Sequence, residues 1–320
     1  MQSSPLIAIV GPTAASKSAL ALRLARTYQG EIVSADSRQV YRHMDIGTAK
    51  PTEQERTEVP FHLVDILNPN QPYSLEIFLR SATQSINSIH SRHSMPFIVG
   101  GTGQYMWALL EGWKLPQSKP DPELRAQLEK KANEYGPQWL HQSLQQVDYD
   151  TACAIDPNNT RRVIRALEIY HTTYATPSKQ RTKGPNPYET LIIGLTMDRK
   201  ELYQRIDHRV DHMMEMGLLE EVQALLHAGY DTHLPAMSSF GYREIILHLT
   251  GQLTLEEAVA KIKYNTHRFA RRQYAWYSLK DPRIKWLIVN DDTEAQAQAL
   301  VERFLRKQGK YDKMNPKTQQ

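Results

Sequence analysis

The chain has 320 residues, of which 40% are hydrophobic and 23% charged, and its formal net charge is +4. This length supports one large domain or two smaller ones, and so small a net charge gives no argument for nucleic-acid binding by the chain as a whole. The single cysteine, Cys153, excludes a disulfide within the chain. No apolar run approaches the roughly 18 residues of a membrane span, and the N-terminus does not resemble a signal peptide. We therefore expect a cytoplasmic protein with no membrane partner.

The first hundred residues alternate between strand-like and helix-like patterns. Short apolar runs at 6–10, 31–36, 61–66 and 95–101 are rich in isoleucine and valine and lack polar alternation, which predicts buried strands. Residues 18–28 and 74–92 between these runs have helical periodicity. This alternation predicts an α/β fold with a parallel, doubly wound sheet.

The pattern changes at about Gly112. A proline-punctuated linker leads into mainly helical segments up to about residue 175, and a second proline-rich loop follows. Strands are predicted again at 191–197 and 284–289, with helices between them. We therefore divide the chain into an α/β core of residues 1–115 and 190–310, a helical insertion of residues 116–189, and a disordered polar tail of residues 311–320.

The segment GPTAASKS, residues 11–18, lies between the first predicted strand and the first predicted helix. Backbone N–H groups in such a loop and the helix dipole favour an anion. Lys17 would reach terminal phosphates and the Ser18 hydroxyl would bind Mg²⁺. Ser16 stands where the phosphate-binding pattern has a second glycine, so an ordinary turn between strand and helix remains the alternative.

Two further turns are expected at the same edge of the sheet, where open α/β sheets bind ligands. Asp36 ends the second predicted strand, and its carboxylate would be a Mg²⁺ ligand, a general base or the cap of the next turn. Thr102 follows the strand at 95–101 within the sequence GGTG. Its hydroxyl would donate to a phosphate, unless the segment is only a tight turn.

The helix after Asp198 is predicted to begin with a capping box formed by Asp198 and Glu201. Arg209 lies beside the apolar stripe of this helix, so its side chain either points into a site or covers the stripe and reaches solvent. A second capping box is predicted at Thr254 and Glu257. The region that follows, residues 261–285, has eight Lys and Arg against one acid, Asp281, with interleaved aromatic residues. This composition is typical of a nucleic-acid surface or of a solvated helix face.

Seven segments resemble, in order, the motifs of tRNA dimethylallyltransferases. They extend over residues 6–280 of the chain, and an ordered series of this length is far more specific than a phosphate-binding loop alone. The segments are GPTAASKS, IVSADSRQVYRHMDIGTAKP, HLVDI, PFIVGGTGQYMWALLEG, RRVIRALEIY, RIDHRVDHMMEMGLLEEV and SSFGYREI.

The resemblance implies a P-loop nucleotide-kinase-like core and a helical insertion that embraces the anticodon stem-loop of tRNA. The implied reaction transfers the dimethylallyl group from dimethylallyl diphosphate to the exocyclic N6 amine of the adenosine at tRNA position 37. The products are N6-isopentenyladenosine and diphosphate. On this basis the loop at 11–18 holds the phosphates of a prenyl donor, Mg²⁺ is the cofactor, and the chain acts as a monomer.

The resemblance also implies roles for individual residues. The catalytic residues are Asp36, Thr102 and Arg209, and the metal ligand is Ser18. The diphosphate is held by Gly11, Pro12, Thr13, Ala14, Ala15, Ser16, Lys17 and Ser18. The residues facing tRNA are Asp36, Ser37, Arg38, Gln39, Thr102, Arg125, Arg161, Arg162, Val163, Ile164, Arg165, Ser238, Ser239, Phe240, Gly241, Tyr242 and Arg243.

The sequence departs from the family pattern at Ser16, and at Arg38 and Gln39, where small and aliphatic residues are more usual. Two other functions therefore remain open at this point. The first is a small-molecule kinase, in which the basic helix is an ordinary surface. The second is a non-catalytic RNA-binding protein whose loop has degenerated through Ser16. ATP consumption distinguishes the first alternative, and tRNA affinity independent of prenyl diphosphate distinguishes the second.

Overall fold

A computed structural model describes residues 4–116, 121–180, 182–307 and 309. The predicted disordered tail at 311–320 lies outside the described residues. Clustering of contacts divides the chain into two compact units, which we call the first and the second unit. The first unit runs to Leu110 and resumes at Pro187, and the second unit is Glu111–Asn186.

Strands and helices alternate along the chain up to Tyr135, and helices predominate after it. The strands are β1 (Ser4–Val10), β2 (Gly30–Ser34), β3 (Phe61–His62), β4 (Met95–Val99), β5 (Trp113–Lys114), β6 (Thr182–Lys183), β7 (Tyr188–Thr196) and β8 (Ile284–Ile288). The helices are α1 (Lys17–Thr27), α2 (Glu53–Glu58), α3 (Leu75–Ser91), α4 (Gly103–Leu110), α5 (Pro122–Tyr135), α6 (Pro137–Val147), α7 (Tyr149–Cys153), α8 (Thr160–Thr173), α9 (Pro177–Gln180), α10 (Arg199–Glu215), α11 (Leu218–His227), α12 (Tyr242–Leu249), α13 (Leu255–Trp276) and α14 (Thr293–Lys307).

The first unit contains a six-stranded sheet in the order β3-β2-β4-β1-β7-β8, and all its neighbouring strands are parallel. This confirms the predicted α/β class and the parallel sheet. From β1 the chain crosses to β2, in the direction of the β3 edge of the sheet. From β4 it crosses to β7, in the direction of the β8 edge. The direction of the connections therefore reverses between β1 and β4, and ligands of open α/β sheets bind outside the carboxyl ends of strands at such a point.

The predicted strand at 61–66 is wrong beyond its first two residues. Leu63 and Asp65 have φ values of 63° and 56°, a left-handed backbone that cannot continue a strand. This path brings the Asp65 carboxylate to the amine of Lys50 and the guanidinium of Arg56. The second predicted strand is also shorter than expected, because β2 ends at Ser34 and Asp36 follows it by two residues.

Two hydrophobic clusters organise the first unit. The larger one packs α1 and α14 against the sheet, with Leu20, Leu24, Val301 and Leu305 at its centre. The second cluster joins α10, α11, α12 and α13 to the segment that follows β2. The loops that carry the predicted site residues are therefore joined at both ends to strands or helices that pack in these clusters.

The second unit has its own hydrophobic core. Leu128 of α5, Leu140 and Leu144 of α6, and Val163 and Leu167 of α8 are buried together. The strands β5 and β6 form a small antiparallel ladder in the same unit. Among the helices that the structure describes, none combines the length and hydropathy of a membrane span.

Candidate functional site

The turn between β1 and α1 has the strained backbone of a phosphate-binding loop. Ala14 and Ser16 both have left-handed φ values, 63° and 60°. Ser16 is the N-cap residue of α1, but its side chain makes no capping hydrogen bond. Its hydroxyl instead accepts a hydrogen bond from Nη1 of Arg205 at 3.2 Å. The exposed N-terminus of α1 and a neighbouring guanidinium therefore both favour an anion here.

Lys17 lies at the centre of a small cluster of charges. Its amine donates to the carbonyl oxygen of Pro12 at 2.7 Å. Burial, and then the positive charge of Arg209, lower the pKa of the Lys17 amine to about 7, while Asp36 acts in the opposite direction. Lys17 donates to Pro12 and Arg209 donates to the next residue, Thr13, so the structure brings both cations to this loop, and Asp36 follows β2 at the same edge of the sheet.

Arg209 points to the loop rather than to solvent. Its Nη1 donates to the hydroxyl of Thr13 at 3.4 Å, and burial lowers the pKa of its guanidinium. The start of α10 is fixed by Asp198, whose carboxylate accepts from the N–H groups of Lys200 and Glu201. The sequence left two orientations of Arg209 open, into a site or along the apolar stripe to solvent. The structure favours the first, because the guanidinium reaches the loop.

Only half of the capping box predicted at the start of α10 is present among the described contacts. The carboxylate of Glu201 pairs with Arg205 at 2.7 Å, one turn along the same helix. Arg205 in turn reaches Ser16, so this salt bridge holds a second arginine beside the loop. The capping box predicted at Thr254 and Glu257 is confirmed. Sequence reasoning missed Arg205, although its spacing of four residues from Arg209 places both on one face of α10.

Asp36 serves as a turn cap and remains available for chemistry. Its Oδ1 accepts from the backbone N–H groups of Arg38 at 2.8 Å and of Gln39 at 3.4 Å. Within the described part of the chain, no hydrogen bond reaches its Oδ2. One carboxylate oxygen therefore orients the group, and the other is left free of hydrogen bonds from this part of the chain.

The side chains of Arg38 and Gln39, which follow Asp36, make hydrogen bonds within the protein. Nη1 of Arg38 donates to the carbonyl oxygen of Pro235 at 2.7 Å. The Gln39 amide accepts from the Ser34 hydroxyl at 2.9 Å and donates to the carbonyl oxygen of Ala49 at 3.0 Å. Both long polar side chains are therefore used in hydrogen bonds within the protein. Ser37 is half-buried beside them.

Thr102 lies immediately before α4, at the carboxyl end of β4. Its carbonyl oxygen accepts from the backbone N–H groups of Tyr105 and Met106 in the first turn of that helix. Its hydroxyl has no hydrogen-bond partner among the described residues, and the residue is only partly buried. Because β1 and β4 are adjacent, the Thr102 turn and the phosphate-binding loop lie at neighbouring positions on one edge of the sheet.

The Ser18 hydroxyl is exposed in the first turn of α1, where it suits a metal ion bound to phosphate oxygens. No group of three or more His, Cys, Asp or Glu side chains that could hold a metal occurs within the residues described. An ion at this loop would therefore take most of its ligands from a bound diphosphate and from water, as Mg²⁺ usually does.

The segment 238–243 is only partly available to a ligand. Ser238 and Arg243 are exposed and Phe240 is partly exposed. Ser239 and Tyr242, which the resemblance groups with the tRNA-facing residues, have buried side chains, and Gly241 is buried as well. The surface of this segment is therefore formed by Ser238, Phe240 and Arg243.

In the second unit, one buried carboxylate organises two of the predicted arginines. Nε and Nη2 of Arg125 donate to Glu168 at 2.7 and 2.9 Å, and Arg165 pairs with the same carboxylate. Burial alone would raise the pKa of Glu168, but the hydrogen bonds from Arg125 and Arg165 outweigh it and lower the pKa below its ordinary value. Glu168 has no exposed surface and was not singled out from the sequence, in which it appears as one more residue of the helical pattern.

The neighbouring residues of α8 divide between the surface and the core. Arg161 and Arg162 are exposed. The side chains of Val163 and Ile164, grouped by resemblance with the tRNA-facing residues, lie in the hydrophobic core of the second unit instead. Of these α8 residues, Arg161 and Arg162 are therefore the ones that a polyanion could reach.

The outer face of α13 carries the predicted basic and aromatic residues. Lys261, Arg268 and Arg272 are exposed, and the guanidinium of Arg268 lies 5.7 Å from the centre of the Tyr264 ring. On this face at least, the cations are accessible to solvent.

Comparison with known proteins agrees with the ordered motifs. A family model described as IPP transferase matches residues 39–280, and one described as isopentenyl transferase matches residues 4–60. The tRNA dimethylallyltransferase of Thermomicrobium roseum is 50% identical over 305 residues, covering 95% of this chain and 92% of that protein. That of Roseiflexus castenholzii is 54% identical over 273 residues, covering 85% of this chain and 89% of that protein.

Solved structures give the same result. The tRNA isopentenylpyrophosphate transferase of Bacillus halodurans superposes with a TM-score of 0.68 at 41% identity, covering 97% of this chain and 98% of that one. A eukaryotic dimethylallyltransferase acting on tRNA superposes with a TM-score of 0.81 at 29% identity, covering 96% of this chain and 80% of that one.

Proposed function

The chain belongs to the IPP transferase family of tRNA dimethylallyltransferases, and from this premise we propose how its residues transfer a prenyl group to tRNA. The donor is dimethylallyl diphosphate, and the acceptor is the exocyclic N6 amine of the adenosine at position 37, next to the anticodon. One observation carries this assignment: Lys17 and Arg209 donate to adjacent residues of the loop after β1, at the edge of the sheet where its connections reverse and where Asp36 follows β2.

Each of these groups has a task in a substitution at the allylic carbon. A bond forms between that carbon and N6, the bond from the carbon to the diphosphate oxygen breaks, and N6 loses a proton. Lys17, Arg209 and the loop N–H groups stabilise the negative charge that grows on the departing diphosphate. Oδ2 of Asp36 orients the amine and accepts its proton, because Oδ1 is already held by the turn. The Thr102 hydroxyl donates to the reacting groups.

The family is consistent with metal-dependent diphosphate transfer, and we assign the metal to Mg²⁺. Ser18 would hold the ion together with oxygens of the diphosphate. When bound, Mg²⁺ neutralises part of the charge on the leaving group.

Contact with tRNA is assigned to exposed side chains in both units. The target adenosine is reactive only outside the base stack, so the pocket must receive an extruded nucleotide. Arg125, Arg161, Arg162 and Arg165 of the second unit bind phosphates of the anticodon stem-loop, because guanidinium groups suit phosphate geometry. The exposed part of segment 238–243 contributes from the first unit. Because the substrate is tRNA, the protein works in the cytoplasm, as a monomer.

Family membership favours this function over the small-molecule kinase and the non-catalytic RNA-binding protein that the sequence left open. The test is mass analysis of tRNA nucleosides after incubation of the purified protein with dimethylallyl diphosphate, Mg²⁺ and tRNA that has adenosine at positions 36 and 37. We expect N6-isopentenyladenosine at position 37. ATP consumption with a small acceptor, without a modified nucleoside, would establish the kinase instead.

Asp36→Asn is the sharpest variant, because an amide oxygen preserves the turn contacts but cannot accept the proton. We expect the transfer rate to fall by roughly 10²–10⁴-fold, the usual contribution of a general base. Asp291→Asn, at an exposed surface position, is the matched control and should transfer at the wild-type rate. Wild-type activity in Asp36→Asn would remove Asp36 from the mechanism.

A further inference from the structure

A single buried amide joins the two turns that flank the candidate site. Gln273 lies near the end of α13, and only 3% of its surface is exposed. Its Oε1 accepts from the backbone N–H of Thr13 at 2.8 Å, and its Nε2 donates to the carbonyl oxygen of Gly101 at 2.9 Å. The amide therefore connects the phosphate-binding loop after β1 to the turn after β4.

The end of α13 packs against the second turn without space to spare. A Cβ atom added at Gly101 would lie 2.1 Å from Nε2 of Gln273, and one added at Gly103 would lie 2.2 Å from Cγ of Trp276. The indole N–H of Trp107 also donates to the carbonyl oxygen of Trp276 at 2.8 Å. The glycines on both sides of Thr102 thus lie against α13. A residue with a Cβ atom at either position would prevent the helix from packing so closely.

We propose that Gln273 is a positioning residue that sets the distance between the diphosphate cradle and Thr102. On one side it fixes Thr13, whose hydroxyl accepts from Arg209. On the other side it fixes Gly101, the residue before Thr102. This inference rests on the proposed function, because it assigns the diphosphate to the loop and the reacting groups to Thr102.

The chemistry of the bridge requires an amide. The Thr13 N–H needs an acceptor and the Gly101 carbonyl needs a donor, and a glutamine side chain supplies one of each. A glutamate at this position would still accept from Thr13 but would present a second acceptor to the Gly101 oxygen. A leucine would leave both backbone groups buried and unpaired, which is more costly than the loss of the bonds themselves.

The order of effects follows from this chemistry. Each loop keeps its own ligand contacts in Gln273→Glu, so substrate binding should survive while the alignment of the two loops is lost. Misplacement of reacting groups by about 1 Å can lower a rate roughly 10²-fold. We therefore expect the single-turnover rate to fall about 10–100-fold in Gln273→Glu and further in Gln273→Leu. The donor KM and the Kd for tRNA should stay within about threefold of the wild type.

The effect of pH separates positioning from a general loss of structure. When the introduced carboxyl of Gln273→Glu is protonated, it regains a donor for the Gly101 oxygen. The transfer rate of this variant, divided by the wild-type rate at the same pH, should therefore rise as pH falls. Gln273→Leu has no such group, so its ratio should not change with pH. A ratio for Gln273→Glu that is independent of pH would overturn the proposal.

The experiment measures single-turnover transfer, donor KM, tRNA Kd and thermal midpoint for the full chain. The matched control is Tyr274→Phe, which removes the hydrogen bond to Thr196 from the next residue of the same helix. It should transfer at the wild-type rate. Wild-type transfer by Gln273→Glu would overturn the positioning role and leave the proposed function intact. Absence of transfer by the wild type would overturn the proposed function itself.

Discussion

The hydroxyl of Tyr242 donates to the carboxylate of Glu221 at 2.5 Å, and this pair anchors the segment that follows Asp36. The same carboxylate accepts from the backbone N–H groups of Asp45, Ile46 and Gly47 at 2.8–3.2 Å. Burial, together with the neighbouring Glu221 carboxylate, raises the pKa of Tyr242 well above its ordinary value, so the hydroxyl remains a donor at neutral pH. Tyr242 therefore acts inside the protein and is not available to tRNA.

Tyr242→Phe should destabilise the protein by about 1–2 kcal/mol, because the Glu221 carboxylate loses a charge-assisted partner. The free energy of unfolding from urea titration measures this change. Affinity for tRNA should remain unchanged, since the ring keeps its place in the core. A large loss of tRNA affinity with unchanged stability would instead assign Tyr242 to the RNA surface.

Binding of the donor should take up a proton at pH 7.5. Burial and Arg209 lower the pKa of Lys17 to about 7, so above this pH most molecules of the free protein hold a neutral amine. A bound diphosphate stabilises the ammonium form and raises the pKa again. Calorimetric titration with dimethylallyl diphosphate in buffers of different ionisation enthalpy gives the number of protons taken up. Lys17→Met should eliminate the contribution of the amine, and equal uptake by both proteins would contradict this assignment.

The same linkage predicts how donor affinity changes with pH. As pH rises through 7, binding must increasingly supply the proton for Lys17, so the apparent Kd should increase. In Lys17→Met the slope should be smaller, and only the titration of the diphosphate itself should remain. An identical slope in the variant would show that Lys17 keeps its charge in the free protein.

Ser16→Gly should act on the donor and leave tRNA binding unaffected. Glycine removes the cost of a left-handed φ, about 1 kcal/mol, so the variant should be slightly more stable. It also removes the hydroxyl that holds Arg205 beside the loop. We expect the apparent Kd for dimethylallyl diphosphate to rise roughly two- to twelvefold, since one hydrogen bond contributes about 0.5–1.5 kcal/mol. A larger change in tRNA affinity than in donor affinity would show that the assignment of the donor to this loop is wrong.

Glu168→Gln should weaken tRNA binding although it makes the second unit more positive. The buried carboxylate holds Arg125 and Arg165 in place, and a neutral amide cannot pair with both guanidinium groups. Electrostatics alone predicts the opposite sign, since removal of a negative charge favours a polyanion. We therefore expect a higher Kd and a smaller dependence of affinity on salt concentration.

The control for this variant is Glu134→Gln on α5, which removes the same charge from an exposed position of the same unit. It should leave tRNA affinity unchanged or slightly stronger. Thermal midpoints of both proteins identify any loss of folded structure. If both variants bind tRNA equally well or more tightly, the arginines do not depend on Glu168.

The sequence by itself predicted the class of the fold and the place of the site. Apolar runs without polar alternation identified β1, β2, β4 and β7, because strands covered on both faces must be apolar throughout, and a further apolar run identified the edge strand β8, in which Lys285 and Ile288 are exposed. Parallel strands end on the same edge, so Lys17, Asp36 and Thr102 were expected there from their positions after these runs. The ordered motifs added the reaction, which family membership supports.

Only the tertiary structure decided which of the motif side chains face a ligand. A motif gives the order of residues but not which of them the fold covers, so the resemblance grouped Val163, Ile164 and Tyr242 with the tRNA-facing residues although their side chains are buried. The strand predicted at 61–66 ends after His62, because the backbone is left-handed at Leu63 and Asp65. The bridge from Thr13 to Gln273 joins residues 260 positions apart. No local pattern encodes such a contact, because it depends on how α13 packs over the sheet after the whole first unit has folded.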